Sequence, residues 1–291
     1  MMKMIFSIAF IAVLSLSPLR GEWQNKSFNW EKCDRPHPGI QLAEWQFHSP
    51  RLIRVYAMRI DLQTPGLQFH VTPKPAGYGK PMPGEPELII RTERRTVIHF
   101  AQDLLKQGHP LVAAVNTAPW RPWKKPWNHP YADKMGLLVS GGEILLPPDG
   151  KCPAFIVMKN GQVKMDCLPP DADTSQILHA VSGFFFVLQN GIPEGESQRL
   201  APRTGFGLSS DHRYLYWFVA DGRQKEYSMG MTVLEVGTFL RYLGAHTGIN
   251  MDGGGSSTLV LLRKNKPVML NKQPKNGIRT VGAALGISIK K

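Results

Sequence analysis

The feature that most restricts the fold is an excess of short strand patterns set between only two helical ones. The runs Met135 to Ser140, Pro153 to Lys159, Gln162 to Cys167, Ala180 to Gln189, Gly205 to Leu208 and Tyr214 to Ala220 all alternate or stay apolar over strand-like lengths. Upstream, Leu52 to Leu62 and Leu67 to Thr72 form a pair of strands joined through Thr64-Pro65-Gly66, followed by a Pro- and Gly-rich loop from Pro73 to Pro86. A first helix is expected from about Glu93 to Gln107, with Val97, Ile98, Ala101, Leu104 and Leu105 on one face and Gly108 as terminator. A second begins at Thr232-Val233-Leu234-Glu235, a capping-box spacing, and shows Val233, Val236, Leu240 and Leu243 on one face before Gly244. Each helix delivers a short strand that ends on a polar residue, Asn116 after the first and Asn250 and Asp252 after the second. This is too much strand for a doubly wound parallel fold. The pattern is α+β: a mixed, largely antiparallel sheet core with two main helices packed on it.

No break in composition divides the chain, and 291 residues at 42% hydrophobic content can bury a sizeable core. A single domain over 41–291 is expected, after an N-terminal extension over 22–40. Lys3, the apolar run Ile5 to Leu16 and the small and turn-forming residues to Gly21 have the order of a secretory signal peptide, and the run is too short to span a bilayer. Residues 1–21 are therefore expected to direct export to a periplasm or the medium, leaving no transmembrane anchor. In such a compartment Cys152 and Cys167, near the open end of a hairpin over Pro153 to Leu168, are candidates for a disulfide across the Asn160-Gly161 turn, read as type I′.

Charge narrows the partners. The chain carries 35 Lys and Arg against 22 Asp and Glu, and a basic surface favours anions. The cations are spread along the sequence with no nucleic-acid-binding motif or basic helix, so anionic glycans and phosphodiesters fit an exported protein better than nucleic acid.

The chemistry is concentrated in Asn250-Met251-Asp252-Gly253-Gly254-Gly255-Ser256-Ser257-Thr258, one carboxylate, three glycines and three hydroxyls after an apolar strand. Glycines let backbone amides approach an anion, so the segment suits a phosphate nest, and it equally suits a tight turn between two strands. Asp221-Gly222-Arg223 closes the strand Tyr214 to Ala220, placing a second carboxylate beside a fork-shaped cation. Arg203-Thr204 precedes another strand. The loop Thr117 to Tyr131 carries Trp120, Trp123, Trp127 and Tyr131 among Arg121, Lys124 and Lys125, which is either a wall for a sugar phosphate or a cluster folded under the loop. A Gly-x-Ser-x-Gly elbow and a His-Glu-x-x-His helix are both missing.

Taken in order, Arg203-Thr204-Gly205, the strand into Asp221-Gly222-Arg223, Gly230-Met231-Thr232 at the second helix start, and Asn250 to Thr258 resemble the phosphodiester glycosidase family. Members commonly have Asn followed by two glycines and an aromatic pair after the first helix. This chain reads Asn116-Thr117-Ala118-Pro119-Trp120, matching only the Asn. The resemblance implies hydrolysis of the glycosidic bond in a sugar-1-phosphodiester. Asp252 would be the nucleophile or general base, and Asp221 the second-choice carboxylate or an orienting group. Arg203, Arg223 and the amides of Gly253, Gly254 and Gly255 would hold phosphate. Asn116, Ser256 and Ser257 would bind sugar hydroxyls, with Trp120 and its loop over the ring. No metal ligand set or cofactor is assigned, although Asp252 and Asp221 could also meet around a divalent cation. A non-catalytic anionic-glycan binding protein and a phosphodiesterase that breaks the phosphate ester are the competing readings.

Overall fold

The computed structural model describes residues 27–124, 128–274 and 278–290. The expected signal peptide over 1–21, Lys125 and Trp127 lie outside these residues.

Both expected helices form, and each starts on a threonine. Thr96 accepts a hydrogen bond from the His99 amide to open α1, Val97–Lys106, which buries Val97, Phe100, Ala101 and Leu104. Thr232 and Glu235 make a reciprocal capping box at the start of α2, Val233–Leu243, and Gly244 ends it in the left-handed conformation.

The described residues are strand-dominated, 44% strand against 9% helix, and every strand pair among them is antiparallel, so the expected mixed sheet is not found. An eight-stranded sheet runs in the order Asp34–His37, Ile40–Phe47, Ile53–Asp61, Tyr214–Ala220, Arg203–Leu208, Thr247–Asn250, Phe185–Gln189 and Ile192–Pro193. A five-stranded sheet runs Lys266–Met269, Leu259–Arg263, Leu111–Asn116, Ala284–Ile289, Leu67–Val71. These two sheets share a core that includes Ile60, Trp217, Phe206, Val115, Leu261 and Ile287. The α2 helix packs on the eight-stranded sheet through Val236, Phe239 and Leu240, and α1 on the five-stranded one through Phe100 and Leu104. The order is helix, sheet, sheet, helix. A second five-stranded sheet, built from Leu138–Ser140, Glu143–Leu146, Ala154–Met158, Val163–Asp166 and Ile177–Ser182, joins the same core through Leu138, Phe155 and Val181.

Several local expectations change. The strands either side of Thr64-Pro65-Gly66 do not pair with each other but enter different sheets. The run Ala180 to Gln189 splits at Gly183, where the chain crosses between sheets; a Cβ there would lie 2.3 Å from Ile249 Cγ2. The presumed extension belongs to the fold: Asp34–His37 pairs with Ile40–Phe47, and the Trp30 indole donates to the Leu243 carbonyl. The hairpin turn is a three-residue one, since Met158 bonds to Gln162 and only Gly161 has positive φ. Cys152 and Cys167 are free. The register Ala154↔Asp166 leaves them one position out of opposition, and burial and the neighbouring Asp149 push the Cys152 thiol up to about 12.

Candidate active site

The two strands that follow the helices end side by side. Asn116 and Asp252 lie where the eight-stranded sheet and the sheet carrying Leu111–Asn116 meet, and backbone bonds pin them. The Asp252 amide donates to Thr117 O at 2.9 Å, Met251 to Thr204 O at 2.9 Å, and Asn116 to Thr258 O at 3.2 Å. The Asn116 side chain is fully buried and spent internally. Its Nδ2 donates to the Asp252 carbonyl at 2.6 Å, and its Oδ1 accepts from Thr204 Oγ1 and the Thr258 amide, both at 2.9 Å. It therefore positions the loop rather than meeting a sugar.

Asp252 stands partly exposed on this loop. Its Oδ2 is shielded and has no hydrogen-bond partner among the described residues. Burial raises its pKa, while Ser256, Arg279, Lys134 and the Gly253 amide act in the opposite direction. An unpaired carboxylate oxygen ringed by cations is costly to fold and useful for chemistry.

The glycines serve a different purpose from the one expected. Gly254 has φ of +65°, and the Gly254–Ser256 turn closes through Ser256 to Gly253 O and Ser257 to Gly254 O. The Gly253 amide acts on the Asp252 carboxylate and the Gly254 amide donates to Pro202 O, so of the three glycine amides only that of Gly255 is unspent among the described residues. Their bareness admits arginines instead. A Cβ on Gly254 would lie 3.1 Å from Arg223 Nη1, and one on Gly255 3.1 Å from Arg279 Nη1.

Arg279 donates to Ser256 Oγ at 3.0 Å. Arg223 is exposed, holds φ of +60°, and its guanidinium makes no hydrogen bond among the described residues. Arg203 is more committed: Nε donates to Met231 O at 3.0 Å and Nη2 to Arg199 O at 2.8 Å. Arg223 and Arg199 nevertheless add their repulsion to its burial, and all three lower its pKa. Arg223 and Arg279 both act on Asp252.

Asp221 does not join Asp252. It is 1% exposed and accepts from the Lys272 amide at 3.0 Å, Asn271 Nδ2 at 3.1 Å and the Tyr227 hydroxyl at 3.2 Å. Burial pushes it up to about 6. Asn271 in turn bonds Ser257 O and the Leu259 amide, so Asp221 buttresses the far side of the glycine turn. The Ser257 hydroxyl is buried without a partner.

Trp120 is 1% exposed, with the Arg94 guanidinium 3.9 Å and that of Arg279 5.2 Å from its ring centre. It is a platform for two arginines and not a wall for a sugar, because its strand, Trp120–Arg121, is held beneath by Tyr131–Lys134. The exposed aromatic of this loop is Trp123, whose ring lies 6.3 Å from that of Phe184.

That small ribbon delivers two cations that sequence reading missed. Arg94 follows Thr92–Glu93 and is 4% exposed; burial and Arg279 lower its pKa to about 10. Lys134 pairs with Trp120 and is 3% exposed. Arg279, which donates to Ser256 Oγ, completes the set. Nothing local marks Lys134, which directly precedes the strand read from Met135.

Three or more His, Cys, Asp or Glu side chains converge nowhere among the described residues, and the company of Asp252 is cationic, a set suited to an anion. A cleft of about 490 Å³ at His70, Phe100 and His179 opens elsewhere. Its neighbouring acids Glu93 and Asp103 are engaged with Arg95 and Lys106, and burial holds His70 and His179 neutral, at about 4.

A family model described as phosphodiester glycosidase matches residues 109–288. No curated protein matches the chain. Among solved structures, the catalytic domain of zebrafish N-acetylglucosamine-1-phosphodiester alpha-N-acetylglucosaminidase, auto-inhibited by its pro-peptide, aligns with a TM-score of 0.61 at 18% identity, over 89% of this chain and 87% of that one. A Synechocystis protein aligns at 0.58 and 12% identity, over 87% and 62% of the two chains. A Burkholderia pseudomallei protein aligns at 0.56 and 14%, over 84% and 75%. These likenesses are of fold.

Proposed function

Because the chain belongs to the phosphodiester glycosidase family, we propose that it is a hydrolase that cleaves the bond between the anomeric carbon of a sugar and the phosphate of a glycosyl phosphodiester. The observation that carries the reading is Asp252: one carboxylate with an unpaired oxygen, held by a glycine turn against Arg279 and Lys134.

Ordinary glycosidases use two carboxyl groups, one to protonate the leaving oxygen and one to attack or to activate water. A phosphomonoester is already a stable anion, with a second pKa near 6, and leaves with little protonation. Cations can then replace the acid by meeting the departing charge. Asp221 is occupied by Asn271, Lys272 and Tyr227, which leaves Asp252 to supply the attack, directly or through a water it deprotonates. Arg223, Arg279 and the Gly255 amide hold the phosphate. A protein that merely bound an anionic glycan would gain nothing from an unpaired carboxylate among those cations.

The substrate class follows the charge: an anionic glycan of the envelope or the medium, reached by export through the apolar N-terminal segment. Detection of a processed amino terminus in the extracytoplasmic fraction tests that part. For the reaction, Asp252→Asn should keep the parent's thermal midpoint and lose about 10³-fold or more in kcat on a model α-glycosyl phosphodiester. Parental turnover in a folded variant removes the central role of Asp252. Water labelled with heavy oxygen should enter the sugar; label in the phosphate would mean a phosphodiesterase.

A further inference from the structure

Lys134 is a buried cation whose ammonium is bonded to nothing. It is 3% exposed, and Nζ has no hydrogen-bond partner among the described residues. The fold makes room for it: a Cβ on Gly282 would lie 2.3 Å from Nζ and 2.7 Å from Trp120 Cβ. Three charges act on it, Asp252, Arg94 and Asp133, and Arg279 also acts on Asp252. Asp133 is engaged elsewhere, accepting from Arg121 at 2.9 Å and from the Lys134 amide at 2.9 Å. An ammonium carries three donors, and leaving all of them unmet in the interior opposes folding. Stability does not explain the residue.

We propose that Lys134 receives the leaving phosphate, its Nζ contacting the oxygen that parts from the anomeric carbon. The assignment rests on the reaction proposed above. When the bond from carbon to bridging oxygen breaks, its electron pair stays on that oxygen; a water adds to the carbon and its proton passes to Asp252. The phosphomonoester then carries one more negative charge than the bound diester. Lys134 and Arg279 flank Asp252 and meet that charge, Lys134 keeping its own protons throughout.

Burial lowers the free side chain to about 7, so at higher pH the amine is largely neutral and an arriving phosphate draws a proton onto it. Phosphate binding is thereby linked to proton uptake. Among its charged neighbours, Asp252 and Asp133 favour the ammonium and Arg94 disfavours it.

The test uses the full chain and Lys134→Met, which fills the same space without charge. Calorimetric titration with inorganic phosphate at about pH 8, in two buffers of different ionisation enthalpy, should show roughly one proton taken up by the parent and none by the variant. The variant's thermal midpoint should equal or exceed the parent's. Its kcat should fall about 100-fold with KM little changed. Parental kcat in the variant, or phosphate binding by the parent without proton uptake, overturns the assignment. So does a midpoint several degrees below the parent's, which would make the residue structural. If even the parent cleaves no glycosyl phosphodiester, the reaction proposed above fails, and proton-linked phosphate binding alone decides the place of Lys134.

Discussion

Asn116 Nδ2 donates to the carbonyl oxygen of Asp252 at 2.6 Å, joining two strand ends that are 136 residues apart in the chain. Through this bond, and through Oδ1 to Thr204 and Thr258, the segment after α1 fixes where the Asp252 carboxylate stands. Replacement by alanine leaves the Asp252 carbonyl and the Thr258 amide unpaired in the interior. Asn116→Ala should lose about 3 kcal/mol in urea denaturation, whereas Thr204→Val, which removes one bond, should lose only about 1 kcal/mol. Equal losses would mean that Asn116 is not the hub.

The glycine turn predicts an asymmetry between fold and binding. Arg223 is exposed and its guanidinium makes no hydrogen bond among the described residues, so Arg223→Ala should change stability by less than about 0.5 kcal/mol. Its KM for a glycosyl phosphodiester should rise about ten-fold or more, the loss of one charge-assisted contact. Gly254→Ala must adopt φ of +65° and meet Arg223 Nη1 at 3.1 Å. It should cost about 1–2 kcal/mol and raise KM as well. Denaturation curves and steady-state kinetics on both variants check the pair.

Two tryptophans of one loop should behave in opposite ways. Trp120 is buried against Arg94 and Arg279, and Trp120→Ala should cost about 3–5 kcal/mol. Trp123 is 55% exposed, and Trp123→Ala should leave stability within about 0.5 kcal/mol. Any effect of Trp123 belongs to substrate affinity, read as KM on diesters with larger and smaller leaving groups.

Asp221 sets a stability difference that depends on pH. Its carboxyl is raised from 3.8 to about 6, first by burial, so the folded state holds the proton more tightly than the unfolded state. The contribution is complete below about pH 4 and is lost as pH rises through about 6, amounting to about 2–3 kcal/mol. Asp221→Asn does not titrate. The stability of the parent relative to this variant should therefore shrink between about pH 4 and 6 and stay constant above. A constant difference across that range would show that the carboxyl is not raised.

How much was legible follows from the range of each cause. Capping at Thr232, the periodicity of both helices, and the polar strand ends at Asn116 and Asn250 all depend on residues within a few positions, and each appears in the structure. The glycine run also marked the right segment. Its meaning did not follow, because the space it leaves is filled by Arg223 and Arg279, which only tertiary structure brings there. Asp221 and Asp252 read alike in sequence, as acids at strand ends. One is engaged by Asn271 and Lys272 and the other keeps an oxygen unpaired, a distinction made by chain 50 and 51 positions away in the first case. Lys134 had no local signature at all: its neighbours Trp120, Gly282 and Asp252 are assembled by strand pairing and loop closure. Sequence by itself determined the two helices, most of the strands and the carboxylate to watch, since propensity, capping and periodicity are local. Tertiary structure alone decided which strands share a sheet and which polar groups remain unbonded, since burial and hydrogen bonding are settled between segments that sequence distance keeps apart.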